Sequence, residues 1–234
     1  MSARTEPAPA LHERITIDPD YESRKGYDAE FLGNGANRVS LPALPDDLVA
    51  LAAVNTLTVS QPPYVLPYHH FSAVLNRDRR LAFFTAVNID GASSVRLKRG
   101  PDRWFLDPRV AADEQTGEDA YRDNPLDRGH LVRRLDPAWG SSRDEAKVSN
   151  ADTFHFTNCS PQHEDFNQNR TTWAGLEDYI LENADNRDFR VSVFTGRSSR
   201  RTINSSQACS SRDSSGRWPS WSRRVATSRR RRTC

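Results

Sequence analysis

An acid, an arginine, a glycine and a histidine occupy four consecutive positions, Asp127-Arg128-Gly129-His130. Apolar residues resume directly after the histidine, which predicts that it ends a short β-strand. A neutral histidine near pH 7 can accept a proton from water, and the planar arginine cation can hold a phosphate oxygen. The tetrapeptide therefore predicts a site for proton transfer next to a phosphate.

A side chain suited to a metal ion follows within about 40 residues. Asn167 precedes an amphipathic helix predicted over 171–184, which carries Glu177, and Asn158 lies in a predicted turn before it. The order strand, strand, helix can bring His130 to face the start of the helix. An amide oxygen is a hard ligand, suited to a Mg²⁺ ion that keeps most of its waters and polarises a phosphoryl oxygen. These residue types together predict hydrolysis of a phosphodiester.

The elements that must position these residues are predicted from composition and periodicity. A β-hairpin with a polar turn is predicted over 68–75 and 81–89. Residues 107–125 are predicted as a loop with a short helix, and the stretch up to about 150 as a polar connector. Further short strands are predicted at 95–97, 103–105, 153–157 and 189–194. The expected fold is α+β, with a central, mostly antiparallel sheet.

Composition and charge divide the chain into three parts. Residues 1–25 are polar and proline-containing and predict an N-terminal arm, and residues 26–196 predict the folded domain. Residues 197–234 contain eleven serines, eleven arginines and one acid, a net charge of +10, so the preceding residues carry −8. This Ser/Arg-rich tail predicts no core-forming element and no fixed structure. Two interpretations stay open: a displaced or truncated end, and a natural basic tail that binds nucleic acid through charge.

Several function classes are not supported by the sequence. No run of about 18 apolar residues predicts a membrane span, and the N-terminus lacks the apolar core of a secretory signal. We therefore expect a cytoplasmic protein by default, with export by an unrecognised signal left open. The cysteines, Cys159, Cys209 and Cys234, have neither an even count nor metal-binding spacing, so they predict neither a disulfide framework nor a zinc site.

The ordered set of motifs resembles one family, the DNA/RNA non-specific endonucleases, which carry a ββα-metal (His-Me) finger. The resemblance is carried by 127–130 (DRGH), 158–162 (NCSPQ), 166–168 (FNQ) and 173–177 (WAGLE), with weaker similarity over 26–196. It implies a Mg²⁺-dependent nuclease, with Mn²⁺ as the alternative ion, that acts on DNA and RNA with little sequence preference.

For the metal and the base, the resemblance implies specific roles. His130 would be the general base that activates water. Asn167 would be the direct metal ligand, with Asn169 as a substitute because the spacing from Asn167 to Trp173 is slightly long. Glu177 would hold waters of the metal shell.

For the phosphate and the scaffold, the resemblance implies that Arg128 and Arg103 bind the phosphate and that Asn158 positions the finger. Arg133 and Arg134 are predicted contacts to the nucleic-acid backbone, with a plain exposed face as the alternative. Arg103 has a plainer interpretation too, pairing with Asp102 or Asp107.

Each residue of the predicted metal site also has a structural interpretation: His130 as a packed histidine, Asn167 as a helix cap, and Glu177 as a solvated helix residue. The alternative function is a catalytically inactive nucleic-acid-binding protein, or a relict of such a nuclease. We expect no membrane partner, and the sequence leaves the oligomeric state open, a dimer included.

Overall fold

The computed structural model describes residues 15–163 and 189–197, together with the backbone of residues 221–228. The helix predicted over 171–184, and with it Asn167, Asn169 and Glu177, lies outside the described residues. Among those that are described, no helix is long and apolar enough to cross a membrane.

A five-stranded antiparallel sheet forms the larger part of the fold. Its strands are β1 (Val65–Pro67), β2 (Phe71–Asn76), β3 (Leu81–Asp90), β6 (Arg190–Arg197) and β7 (Trp221–Ser228), in the spatial order β1-β2-β3-β6-β7. The predicted hairpin is confirmed: β2 and β3 pair antiparallel from Phe71↔Val87 to Asn76↔Leu81. The strand predicted at 189–194 is confirmed as β6, which pairs with β3. The predicted α+β class with an antiparallel sheet is therefore confirmed.

The sheet buries its apolar side chains in one main cluster. Twelve residues with at most 4% exposure form it, among them Leu66, Tyr68, Phe71, Leu75 and Ile89. Burying a large apolar side chain contributes roughly 1.5–3 kcal/mol to folding. Val132, two residues after the DRGH histidine, belongs to the same cluster, so the segment that follows the predicted site is anchored in the core of the sheet.

A separate two-stranded sheet carries the DRGH motif. It consists of β4 (Leu126–His130) and β5 (Cys159–His163), paired antiparallel from Leu126↔His163 to His130↔Cys159. The prediction that His130 ends a short strand is confirmed. Two short helices complete the regular elements of the described region besides its 3-10 turns: α1 (Asp46–Val49) and α2 (Arg143–Asp152).

The polar connector predicted before residue 150 is wrong, because α2 lies there. Ser142 caps this helix by accepting a hydrogen bond from the Glu145 backbone at 3.1 Å. The spacing of a serine and a glutamate three residues later is a known helix-start signal. The short polar helix carries no apolar stripe that periodicity could detect, and the capping pair was the available signal.

Three predicted strands are also wrong. Residues 95–97 and 103–105 form no strand, and this stretch makes single bridges, Ser94↔Trp139 and Phe105↔His155. Residues 153–157 leave α2 through a turn and enter a 3-10 helix, Phe156–Asn158. The Thr153 hydroxyl donates back to the Asn150 carbonyl at 2.7 Å, which holds the segment in a helix-exit turn. The strand begins only at Cys159, where a turn was predicted.

The Ser/Arg-rich tail contains a strand that its composition did not predict. β7 pairs with β6 over eight residues, from Arg190↔Ser228 to Arg197↔Trp221. The expectation of no fixed structure is therefore wrong for residues 221–228. An edge strand needs only a backbone ladder on one side, so a segment without hydrophobic alternation can still pair. The division at residues 25 and 196 stays a prediction.

The segment 15–25 packs on the domain. Ile15 is buried against Ala151 and Phe154. The Arg24 guanidinium forms a fully buried ion pair with Asp152 at 2.8 Å. Asp152 also accepts a hydrogen bond from the backbone N–H of His69 at 3.0 Å. This segment therefore fixes the end of α2, after which the chain continues to β5, the strand that pairs with the DRGH strand.

Candidate active site

Gly129 in β4 lies against the Gln162 side chain of the neighbouring strand. A Cβ atom at this position would lie 2.2 Å from Cδ of Gln162, which is buried on β5. Real Cβ contacts are never this short, so a side chain here would displace Gln162. The glycine thus leaves room for the Gln162 side chain between Arg128 and His130.

The His130 imidazole lies between two aromatic rings. Its centroid is 4.5 Å from that of Trp104 and 4.9 Å from that of Phe154. The residue as a whole is half-buried, but its Nε2 atom is inaccessible to solvent and has no hydrogen-bond partner among the described residues. A buried polar atom without a partner is costly, so its presence calls for an explanation beyond packing.

The surroundings of His130 favour its neutral form. Its pKa is lowered to about 3, first by burial and then by the charges of Arg99, Arg134 and Arg133, against the opposing effect of Asp102. The imidazole is therefore neutral near pH 7 and able to accept a proton.

Asn158 is completely buried and links the segment after β4 to the segment before β5. Its Oδ1 accepts from the Val132 backbone and its Nδ2 donates to the carbonyls of Val132 and Thr153, each at 2.9 Å. Its own carbonyl accepts from the Leu131 backbone at 3.0 Å. These bonds fix the chain directly after His130, so the geometry supports the predicted positioning role and brings Asn158 into no contact with the cleft.

A cleft of about 660 Å³ opens beside the DRGH strand. Its lining combines cations, acids and one aromatic ring: Arg99, Asp102, Arg103, Trp104, Glu118, Asp127 and Arg128. The structure thus brings the two predicted phosphate-binding arginines, Arg103 and Arg128, to one cleft. Trp104 both lines this cleft and contacts the His130 ring, so it joins the base to the cationic surface.

Arg128 is held by the 3-10 helix Glu118–Tyr121. Its Nε donates to Glu118 Oε2 at 3.2 Å, and its Nη2 donates to Glu118 Oε1. Its guanidinium also lies over the Tyr121 ring, 5.1 Å from the centroid. The side chain keeps 29% of its surface exposed, on the side of the cleft.

Arg103 is left available for an anion. The plainer interpretation, an ion pair with Asp102 or Asp107, is wrong, because Asp102 pairs with Arg99 and Asp107 with Arg109. Arg103 instead lies over the Phe105 ring at 5.0 Å. No ion pair joins it to another residue of the described part of the chain.

Arg133 and Arg134 are half-buried and do not form a plain exposed face. Arg134 donates to the Leu97 carbonyl at 3.0 Å. Burial lowers the Arg134 pKa, and the charge of Arg99 lowers it further. Both arginines act on His130 through their charge. Their predicted contact with the nucleic-acid backbone stays a prediction.

Five residues of the site were not predicted as such: Arg99, Asp102, Trp104, Glu118 and Phe154. Trp104 directly follows Arg103, a predicted phosphate-binding residue, and that position was the available signal. Glu118 and Arg99 lie in polar stretches without a motif, and only the folded chain brings them to the cleft.

The predicted metal site cannot be built from the described residues alone. Within 15–163 and 189–197, no three histidine, cysteine or acidic side chains come together as ligands for a metal ion. The predicted ligand Asn167 and the predicted water-holding Glu177 lie outside this part of the chain. The metal therefore stays a prediction.

Comparison with known proteins finds a relative by sequence and a solved structure with a similar fold. The uncharacterized protein y4fB of Sinorhizobium fredii is 45% identical over 191 residues, which covers 75% of this chain. The chain spans only 27% of the length of that relative. A crystal structure of the EndoG/EndoGI complex, which addresses EndoG inhibition, matches with a TM-score of 0.50 and 16% identity. That match covers 69% of this chain and 66% of the other, and it shows a shared fold.

The family pattern reaches further along the chain than the motifs themselves. It covers residues 50–233, which include the hairpin, the cleft, the DRGH strand and β7. The chain belongs to the DNA/RNA non-specific endonuclease family.

Proposed function

We propose that this protein is a metal-dependent endonuclease that hydrolyses phosphodiester bonds of DNA and RNA with little sequence preference. The observation that carries the proposal is a neutral, buried His130 imidazole in contact with Trp104, which lines a cleft containing three arginines. A proton acceptor beside a set of anion-binding donors is what phosphodiester hydrolysis requires.

Each side chain of the cleft has a defined task in this reaction. His130 accepts the proton of the attacking water. Arg128 and Arg103 bind the oxygens of the scissile phosphate and offset the charge that develops in the transition state. Because arginine contacts to phosphates carry no base information, a site built from them supports little sequence preference.

The donor types predicted for the metal fit a hard divalent cation. Asn167, with Asn169 as its substitute, offers an amide oxygen, and Glu177 offers a carboxylate for the waters around the ion. When bound, Mg²⁺ supplies polarisation of the phosphoryl oxygen and stabilisation of the leaving oxygen.

A nuclease assay on the full chain tests the proposal. Supercoiled plasmid and a structured RNA are incubated with the protein in Mg²⁺, in Mn²⁺ and in EDTA. We expect cleavage of both substrates with the metal, and loss of cleavage in EDTA and in His130→Ala. Arg128→Ala should lower kcat/KM by about 10²–10³-fold, the usual effect of removing one donor to a transition-state oxyanion.

The matched control is Arg122→Ala. Arg122 directly follows the 3-10 helix Glu118–Tyr121, but its side chain is 67% exposed, pairs with Asp119 and does not line the cleft. It should cut at the wild-type rate. If wild type and His130→Ala are equally inert while both bind DNA, the protein is a catalytically inactive nucleic-acid-binding protein and the proposal fails.

A further inference from the structure

Glu118 is the carboxylate nearest to the predicted phosphate-binding arginine, and no motif points to it. It contacts Arg128 through both oxygens: Oε2 accepts from Nε at 3.2 Å, and Oε1 accepts from Nη2. An acid in a cleft for polyanions repels the substrate, so its presence there needs a reason.

Stability does not provide that reason. The Glu118 side chain is 58% exposed and the Arg128 side chain 29% exposed. Ion pairs this close to water contribute little to folding because the solvent screens them and both side chains lose rotamer freedom.

The edge of the guanidinium that Glu118 occupies is informative. A guanidinium has two edges with paired donors, one formed by Nε and Nη2 and the other by Nη1 and Nη2. Glu118 occupies the first edge. No hydrogen bond to the described residues occupies the second edge, which can therefore make a bidentate contact with a phosphate while the acid stays bound to the first.

Tyr121 supports the guanidinium from the same 3-10 helix. Its ring lies 5.1 Å from Arg128, and it is itself fixed because it is buried and its hydroxyl is 3.0 Å from the Cys159 sulfur on β5. Burial raises the Cys159 pKa to about 12, so this contact joins two neutral groups near pH 7. The face and one edge of the guanidinium are therefore both held by the helix Glu118–Tyr121.

We infer that Glu118 is a positioning residue: it holds the Arg128 guanidinium so that its Nη1/Nη2 edge faces the scissile phosphate. The inference rests on the proposed nuclease function. It has a distinctive consequence, because removing the negative charge should favour substrate binding while the loss of orientation slows the chemical step.

Glu118→Gln separates these two effects. We expect kcat to fall about 10-fold or more, since small misplacements of a positioned group cost up to about 100-fold. Nucleic-acid affinity, measured in EDTA at low salt, should rise about twofold to fivefold, the range expected for one screened charge. The matched control, Asp119→Asn, removes the same charge one residue away, where the side chain is 92% exposed and pairs with Arg122. It should keep the wild-type kcat.

A double-mutant cycle identifies the partner. In the Arg128→Ala background, Glu118→Gln should cause no further loss of kcat, because the group that it orients is gone. Equal losses in both backgrounds would overturn the inference. So would an unchanged kcat in Glu118→Gln, or a fall in kcat explained by a matching loss of folded protein in a thermal melt.

The orientation can also be measured without activity. In arginine-¹⁵N-labelled protein, the Nε–H signal of Arg128, assigned by its absence in Arg128→Lys, should be protected from exchange in the wild type and in Asp119→Asn. It should lose that protection in Glu118→Ala. If the wild type does not cleave nucleic acid, the proposed function fails, but this signal still tests the contact between Glu118 and Arg128. Equal protection of the Nε–H in the wild type and in Glu118→Ala would overturn the inference about Glu118.

Discussion

Asn158→Ala should separate a positioning role from a chemical one beside the two-stranded sheet that carries the DRGH motif. The change removes three side-chain hydrogen bonds, each of 2.9 Å, to the backbones of Val132 and Thr153. All three partners are buried groups that no water can reach in the unchanged fold. At about 1–2 kcal/mol for each bond lost with its partner left unsatisfied, the free energy of unfolding should fall by roughly 3–6 kcal/mol.

The assay is a thermal and a denaturant melt on both proteins, followed by kcat at a temperature where both are folded. A chain of this length loses roughly 2–4 °C of Tm per kcal/mol, so Tm should fall by at least about 6 °C. Activity should fall too, because the bonds to Val132 hold the chain that leaves His130.

Asn124→Ala is the matched control for stability. Asn124 also makes three side-chain hydrogen bonds to the backbone, two to the carbonyls of Ala120 and Arg122 and one from the Leu126 amide, but it is exposed. Water can replace those bonds, so the loss should stay within about 1 kcal/mol. The reasoning is refuted if Asn158→Ala unfolds as easily as Asn124→Ala; an unchanged Tm with abolished kcat would instead assign Asn158 to the chemistry.

Two further predictions concern buried ionisable groups. The His130 pKa is near 3 in the folded chain and 6.5 in the unfolded chain, so between these two pH values mainly the unfolded chain gains the proton. Stability should therefore fall as the pH drops from 6 to 4, and His130→Gln should remove roughly 2–3 kcal/mol of that fall in denaturant melts; identical slopes would contradict a buried neutral imidazole. Arg24→Ala should lower the free energy of unfolding by roughly 3–5 kcal/mol, because it strands the buried Asp152 carboxylate. Arg38→Ala, which breaks an exposed pair of 3.7 Å, should lower it by less than about 1 kcal/mol, and equal losses would show that residues 15–25 do not belong to the fold.

Hydrophobic periodicity and composition were enough to predict the strands that are long and buried. β2 and β3 have dense aromatic and β-branched residues on both sides of a polar turn, and their prediction is confirmed to within a few residues. β5 was not predicted because its sequence, Cys-Ser-Pro-Gln-His, has the composition of a turn. It becomes a strand since β4 supplies the ladder, a tertiary effect that local propensity does not contain.

The candidate site was predictable where a motif marks it, and hidden where only the fold assembles it. His130, Arg128, Arg103 and Asn158 were predicted from sequence, and the structure places the two arginines at one cleft beside the histidine. Glu118 could not be found this way. It lies ten positions before Arg128 in an acidic loop, and the side-chain contact depends on a 3-10 helix packed against β4.

One arginine of the cleft, Arg99, connects substrate binding to the strength of the base. Burial is the first cause of the low His130 pKa, and the charge of Arg99 adds to it, as do those of Arg134 and Arg133 outside the cleft lining. A phosphate bound in the cleft carries the opposite charge and offsets Arg99, which raises the pKa of the imidazole towards the operating pH, where a general base is most effective. In the proposed reaction, Arg99 therefore weakens His130 in the free protein and does so less once a phosphate is bound.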